Sequence, residues 1–141
     1  MTRVFWGCKL PTRKHNVGMH QREEAAMGTI LVIDDEKKIL KMLQMALEAY
    51  GYRVEVAASG KEGVKKFDAA HFDAVITDLV MPGLDGKEVV RHIRESERSR
   101  TPVIGISGTP WLLETADFNS VLAKPFSIVS LVQHLQELAP A

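Results

Sequence analysis

Asp73-Ala74-Val75-Ile76-Thr77-Asp78 runs apolar into a carboxylate, and the chain then breaks at Met81-Pro82-Gly83. Far upstream, Ile30-Leu31-Val32-Ile33 also ends in acid, at Asp34-Asp35. Val103-Ile104-Gly105-Ile106 ends at Ser107, and Val121-Leu122-Ala123 ends at Lys124-Pro125. A carboxylate directly after a buried strand is costly unless that strand end opens onto a site. Three carboxylates, a hydroxyl and an amine at four strand ends describe one polar cluster.

Short continuous apolar runs separated by helix-length amphipathic segments read as parallel strands covered on both faces. Right-handed crossovers point every strand the same way, so their C-terminal ends share one edge. Ligands of open α/β sheets bind outside that edge, where residues distant in sequence converge.

A length of 141 residues allows one domain with an ordinary core. The net charge is zero but unevenly placed: residues 1–27 hold five basic and two acidic side chains, leaving the remainder at −3. That balance argues against a dedicated nucleic-acid surface on the folded part, so no direct DNA binding is expected. A single cysteine, Cys8, excludes an intramolecular disulfide and fits a reducing cytoplasm. No apolar segment approaches a membrane span, and the N-terminus has no continuous apolar stretch of the kind a secretion signal needs. The arm over residues 1–27 shows no sustained period and reads as a disordered tail; Met27 is an alternative natural start.

After the first strand, Ile39, Leu40, Leu43, Ala46, Leu47 and Tyr50 recur at helical spacing, and Gly51 stops the helix. Arg53–Ala57 alternates as an edge strand. Ser59 is placed to N-cap a second helix with Val64 and Phe67 inward. A helix over Leu84 to about Glu97 buries Val89, Val90 and Ile93 and leaves Arg91, Arg94, Glu95 and Arg98 solvated, with Asp85 as a cap or turn residue. Ser127 caps a last helix bearing Ile128, Leu131, Val132, Leu135 and Leu138 on one face. His71, His92 and His134 fall on separate segments and read as surface or boundary residues.

The stretches ILVIDDE, DAVITDLVMPGLDG, PVIGIS and LAKPF, in that order, resemble the receiver domain of two-component response regulators over residues 28–139. The resemblance implies a doubly wound, flavodoxin-like α/β fold: a five-stranded parallel sheet in the order 2-1-3-4-5, flanked by five helices. Only sixteen residues separate Ser107 from Lys124, fewer than such domains usually have. The fourth helix is therefore shortened to about Pro110–Phe118, with Trp111, Leu112 and Leu113 as apolar cover.

Ionised carboxylates about 4 Å apart repel by roughly 4 kcal/mol per pair at an effective dielectric of 20. Asp34, Asp35 and Asp78 need compensation, and Mg²⁺ suits a set of hard oxygen ligands. The resemblance implies that Asp35, Asp78 and the backbone carbonyl of Val80 ligate Mg²⁺ directly, with Asp34 acting through a bound water. It makes Asp78 the phosphoacceptor, a carboxylate able to form an acyl phosphate. Lys124 would pair with one phosphoryl oxygen and the Ser107 hydroxyl would bond another, moving toward it as a switch. The Lys124-Pro125 bond resembles one that is cis in such domains. Ordinary roles compete for each residue: Asp34-Asp35 as helix caps, Lys124 as a surface lysine, Ser107 as a turn residue before Gly108. Three places before the lysine, where many receivers carry an aromatic ring, stands Val121, so coupling by ring rotation is not expected.

The expected function is a stand-alone, cytoplasmic phosphoacceptor, not a dedicated enzyme, served by a sensor histidine kinase or a histidine phosphotransfer protein. Because three residues follow Leu138, output is expected through contact with another protein or onward phosphotransfer. A degenerate receiver acting as an unphosphorylated interaction module is the alternative. A small doubly wound phosphatase is a more distant one, since neither acidic strand end carries an Asp-x-Asp motif.

Overall fold

A computed structural model of the chain describes residues 27–109 and 117–139. Strands β1 (Thr29–Ile33), β2 (Arg53–Ala57), β3 (Ala74–Asp78), β4 (Val103–Ser107) and β5 (Ser120–Ala123) alternate with helices. Among the described residues these helices are α1 (Lys37–Ala49), α2 (Gly60–Ala69), α3 (Gly86–Arg94) and α4 (Ile128–Leu138). All strand pairs are parallel, in the expected order β2-β1-β3-β4-β5. The helix expected near Pro110–Phe118 falls mostly on residues 110–116, outside the described residues, as do the arm up to residue 26 and Trp111, Leu112 and Leu113.

Side chains alternate faces along a strand, so a strand covered on both sides feeds two cores. Ile30 and Val32 join Ile76, Ile104 and Ile106 under α1 and α4, whose Leu40, Leu43, Leu47, Leu131, Val132 and Leu135 are buried there. Leu31 and Ile33 turn the other way, with Val75 and Val103, under Phe67 of α2 and Val89, Val90 and Ile93 of α3. Phe118 packs on the same side, where a Cβ at Gly105 would come within 3.1 Å of its ring. This close approach is what the glycine in β4 permits.

Helix starts follow the expected caps. Ser59 accepts the Glu62 amide at 3.1 Å and Ser127 accepts that of Ser130 at 3.0 Å. Asp85 and Glu88 form a reciprocal capping box, so α3 begins at Gly86 and not at Leu84.

Three expectations about side chains are corrected. Tyr50 does not face inward: α1 ends at Ala49, Gly51 (φ +100°) reverses the chain, and Tyr52 takes the buried place. Arg94 is not a solvated helix residue. Its guanidinium donates to the carbonyls of Asp117 (3.0 Å), Ser99 (2.8 Å) and Thr101 (2.7 Å) and to Asn119 Oδ1 (2.7 Å). It thereby ties together the segments that lead into β4 and β5. Arg98 lies over the Phe67 ring, 4.5 Å from its centroid, and donates to the carbonyls of Phe67 and Ala70 at the C-terminal end of α2.

Candidate functional site

Register brings the predicted residues to one edge. Ile33 pairs with Thr77, Asp78 with Ile106, and Ser107 with Ala123. Asp34 and Asp78 therefore share one level, with Ser107 one residue and Lys124 two residues beyond it, at the ends of four adjacent strands. This is the C-terminal edge, where crossovers leave a crevice.

Asp78 closes β3 with only 6% of its surface exposed. Its Oδ1 accepts the Leu79 amide at 3.0 Å and lies 3.2 Å from Lys124 Nζ. Lys124 is exposed, and its ammonium reaches in to the buried Asp78 carboxylate. Its bond to Pro125 is cis. The first turn of α3 packs under Asp78: a Cβ at Gly86 would fall 2.6 Å from the Asp78 carbonyl oxygen and 2.8 Å from Leu79 Cα. Val80 is the exposed residue two positions beyond Asp78.

Asp34 is buried, with 2% exposed, and its Oδ1 accepts the Glu36 amide at 2.9 Å. It caps no helix in the usual sense, since Glu36 is the N-cap of α1 and makes no side-chain cap. Burial, foremost, pushes the Asp34 carboxyl up to about 6; the charges of Asp78 and Asp35 push the same way, while the Glu36 amide and Lys124 oppose them. Asp35, by contrast, is exposed. One carboxylate oxygen from each of Asp34, Asp35 and Asp78 lies within 4.8 Å of the other two.

Ser107 ends β4, 2% exposed. Its carbonyl accepts the Lys124 amide at 2.9 Å, and its Oγ accepts the Thr109 amide at 3.0 Å. A Cβ at the intervening Gly108 would meet nothing within 4 Å. Val121 is half-buried against the α2/α3 core. His71 is exposed, His92 Nε2 lies 2.8 Å from Asp68 Oδ1, and His134 Nδ1 lies 2.9 Å from the Ser130 carbonyl. None of the three belongs to the carboxylate cluster.

Sequence reasoning missed the amides of Leu79 and Thr109 and the Thr77 hydroxyl, which donates to the Asp78 carbonyl at 2.9 Å. Main-chain donors leave no residue-type signal. A threonine in a β-rich run reads simply as strand.

The carboxylate set suits a hard divalent cation. Its oxygens are close enough to share one ion. Asp34, Asp35 and Asp78 would hold such an ion.

The chain belongs to the response regulator receiver domain family, whose model matches residues 30–136. Among curated relatives, it is 33% identical to the transcriptional regulatory protein TrcR of Mycobacterium tuberculosis, over 83% of this chain and 47% of that protein. It is 36% identical to the CAI-1 autoinducer sensor kinase/phosphatase CqsS of Vibrio cholerae, over 68% of this chain and 15% of that protein. The chain spans about half the length, or less, of the curated relatives it matches. Among solved structures, the chemotaxis protein CheY4 of Vibrio cholerae superposes with a TM-score of 0.73 at 32% identity, covering 80% of this chain and 99% of that one. The response regulator TrrA of Thermotoga maritima, in complex with Mg²⁺-BeF, gives a TM-score of 0.73 at 31% identity, covering 79% and 99%. No helix among the described residues is long and apolar enough to cross a membrane.

Proposed function

We propose that Asp78 accepts a phosphoryl group from a histidine kinase or histidine phosphotransfer protein in a Mg²⁺-dependent reaction. The observation that carries this reading is the buried Asp78 carboxylate with Lys124 Nζ at 3.2 Å, inside a set of three carboxylates within 4.8 Å. The Asp78 carboxylate attacks phosphorus as the P–N bond to the donor imidazole breaks, and the electron pair stays on the imidazole nitrogen. Asp34, Asp35, Asp78 and the Val80 carbonyl would hold the cation, which supplies charge neutralisation at the transferring oxygens when bound. Lys124 pairs with one of those oxygens and the Ser107 hydroxyl donates to another. The protein takes part in its own phosphorylation without being a dedicated enzyme.

For output we propose contact with another protein or onward phosphotransfer by a cytoplasmic receiver, with no direct DNA contact from this domain. The −3 balance outside residues 1–27 supports the last point. Incubation with acetyl phosphate and Mg²⁺, followed by intact-mass measurement, tests the reading. One added phosphoryl group that disappears when Mg²⁺ is withheld is expected. An unchanged mass with Mg²⁺ present would leave an unphosphorylated interaction module in its place.

A further inference from the structure

The order β2-β1-β3-β4-β5 gives β2 a neighbour on one side only, so one edge of the sheet lies along it. In a parallel ladder the amide and carbonyl of one residue point the same way, and those of the next point oppositely. The Arg53 amide donates to the Gly28 carbonyl and the Asp34 amide donates to the Ala57 carbonyl, so alternate residues from Arg53 to Ala57 are engaged with β1. Val54 and Val56 therefore turn their main-chain groups outward, and Ala58 continues the alternation just past the strand. An edge of this kind is a template for pairing with another chain.

Three of these outward groups are already taken, and by side chains. Gln44 Nε2 of α1 donates to the Val54 carbonyl at 3.5 Å. Lys66 Nζ of α2 donates to the Val56 carbonyl at 2.6 Å, and the Ala58 amide donates to Glu62 Oε1 of α2 at 2.7 Å. The caps arrive from both faces of the sheet, since α1 and α2 cover opposite cores. Two carboxylates hold Lys66 in place, Glu62 Oε2 at 3.7 Å and Glu55 Oε1 at 3.9 Å. Gln44, Glu62 and Lys66 stand outside the carboxylate cluster, so the phosphoryl chemistry does not account for them.

We propose that Gln44, Glu62 and Lys66 close the β2 edge to strand addition by a second copy of this chain. The closure does not depend on the phosphoacceptor reading. Two copies related by a two-fold axis would set β2 against β2 antiparallel, with Val54 of each opposite Val56 of the other. That pairing needs the Val54 and Val56 carbonyls as acceptors, and both now accept from side chains. It also brings two Lys66 ammonium groups to one seam, where like charges oppose each other. The strand is only five residues long, so the caps compete against few new bonds. Each cap corresponds to about a twofold to tenfold change in an equilibrium constant, and a symmetric dimer counts it twice.

The test removes the caps from the full chain as Gln44→Ala, Glu62→Ala and Lys66→Ala together, with self-association read by sedimentation equilibrium. Alanine keeps α1 and α2 helical, and a cooperative urea transition shows that the variant is folded. The triple variant should dimerise at concentrations where the wild type is a monomer, with association at least about sixtyfold stronger. Adding Val54→Pro removes an outward amide hydrogen without touching the β1 ladder, and should return the variant to a monomer. A folded triple variant that stays monomeric at millimolar concentration, or a dimer that survives Val54→Pro, would overturn the proposal. A second measurement needs no substitution. In the wild type the Val54 and Val56 amides should exchange hydrogen at rates independent of protein concentration, and the Ala58 amide should exchange more slowly than either. Protection of Val54 and Val56 that grows with concentration, or an Ala58 amide as fast as they are, would contradict the closure even if the triple variant failed to fold.

Discussion

Asp34→Asn in the absence of divalent cations should make the protein more stable near neutral pH and leave it unchanged in acid. The folded state raises the Asp34 carboxyl from 3.8 to about 6, chiefly by burying it. Between those values the folded chain keeps a proton that the unfolded chain has lost. Stability contributed by this group therefore falls as pH rises through the window, and the penalty is complete above it. Each unit is worth 1.36 kcal/mol, so a shift of roughly two units sets a ceiling of about 3 kcal/mol. Relaxation around an edge that opens to solvent reduces this to about 1–2 kcal/mol. Asparagine keeps an oxygen for the Glu36 amide, now held at 2.9 Å, so the local turn survives the change. Urea denaturation at pH 7.5 and pH 4, in chelated buffer, measures the difference directly. The variant should gain about 1–2 kcal/mol at the higher pH and almost nothing at the lower. An equal gain at both, or a loss at pH 7.5, would refute the assignment of the cost to a buried charge.

Two further outcomes follow from the same coordinates. Mg²⁺ should stabilise the wild type by about 2.7 kcal/mol at a hundredfold excess over its Kd, and Asp35→Ala should remove most of that gain in thermal melts; equal shifts in both proteins would exclude Asp35 as a ligand. Arg94→Met should cost about 2 kcal/mol in denaturant titrations without altering phosphorylation, because it strips donors from the carbonyls of Ser99, Thr101 and Asp117 at the edge away from Asp78.

The strands, their shared edge and the helix caps were legible because each has a local cause. Apolar runs ending at Asp34, Asp78, Ser107 and Lys124 locate strand ends, and Ser59, Asp85 and Ser127 cap helices with bonds spanning only three residues. The roles of Arg94 and Arg98 were not legible. Helical periodicity tells which face a side chain leaves from, but not that carbonyls from residues up to 31 positions away will meet it. Tyr50 was misplaced for a similar reason: the period continues to it, while the reversal at Gly51 decides which ring is covered. At the site, residue types announced the carboxylates and the lysine. The Thr109 amide that holds Ser107 has no side-chain signature and emerges only from coordinates.

Location of the phosphoryl group tests the central claim most directly. Borohydride reduces an aspartyl phosphate to homoserine, so the labelled protein can be reduced, digested and sequenced by mass spectrometry. Conversion at residue 78, absent without Mg²⁺ and absent in Asp78→Asn, is the expected result. Reduction at any other acidic residue, or labelled protein that yields no homoserine, would contradict it.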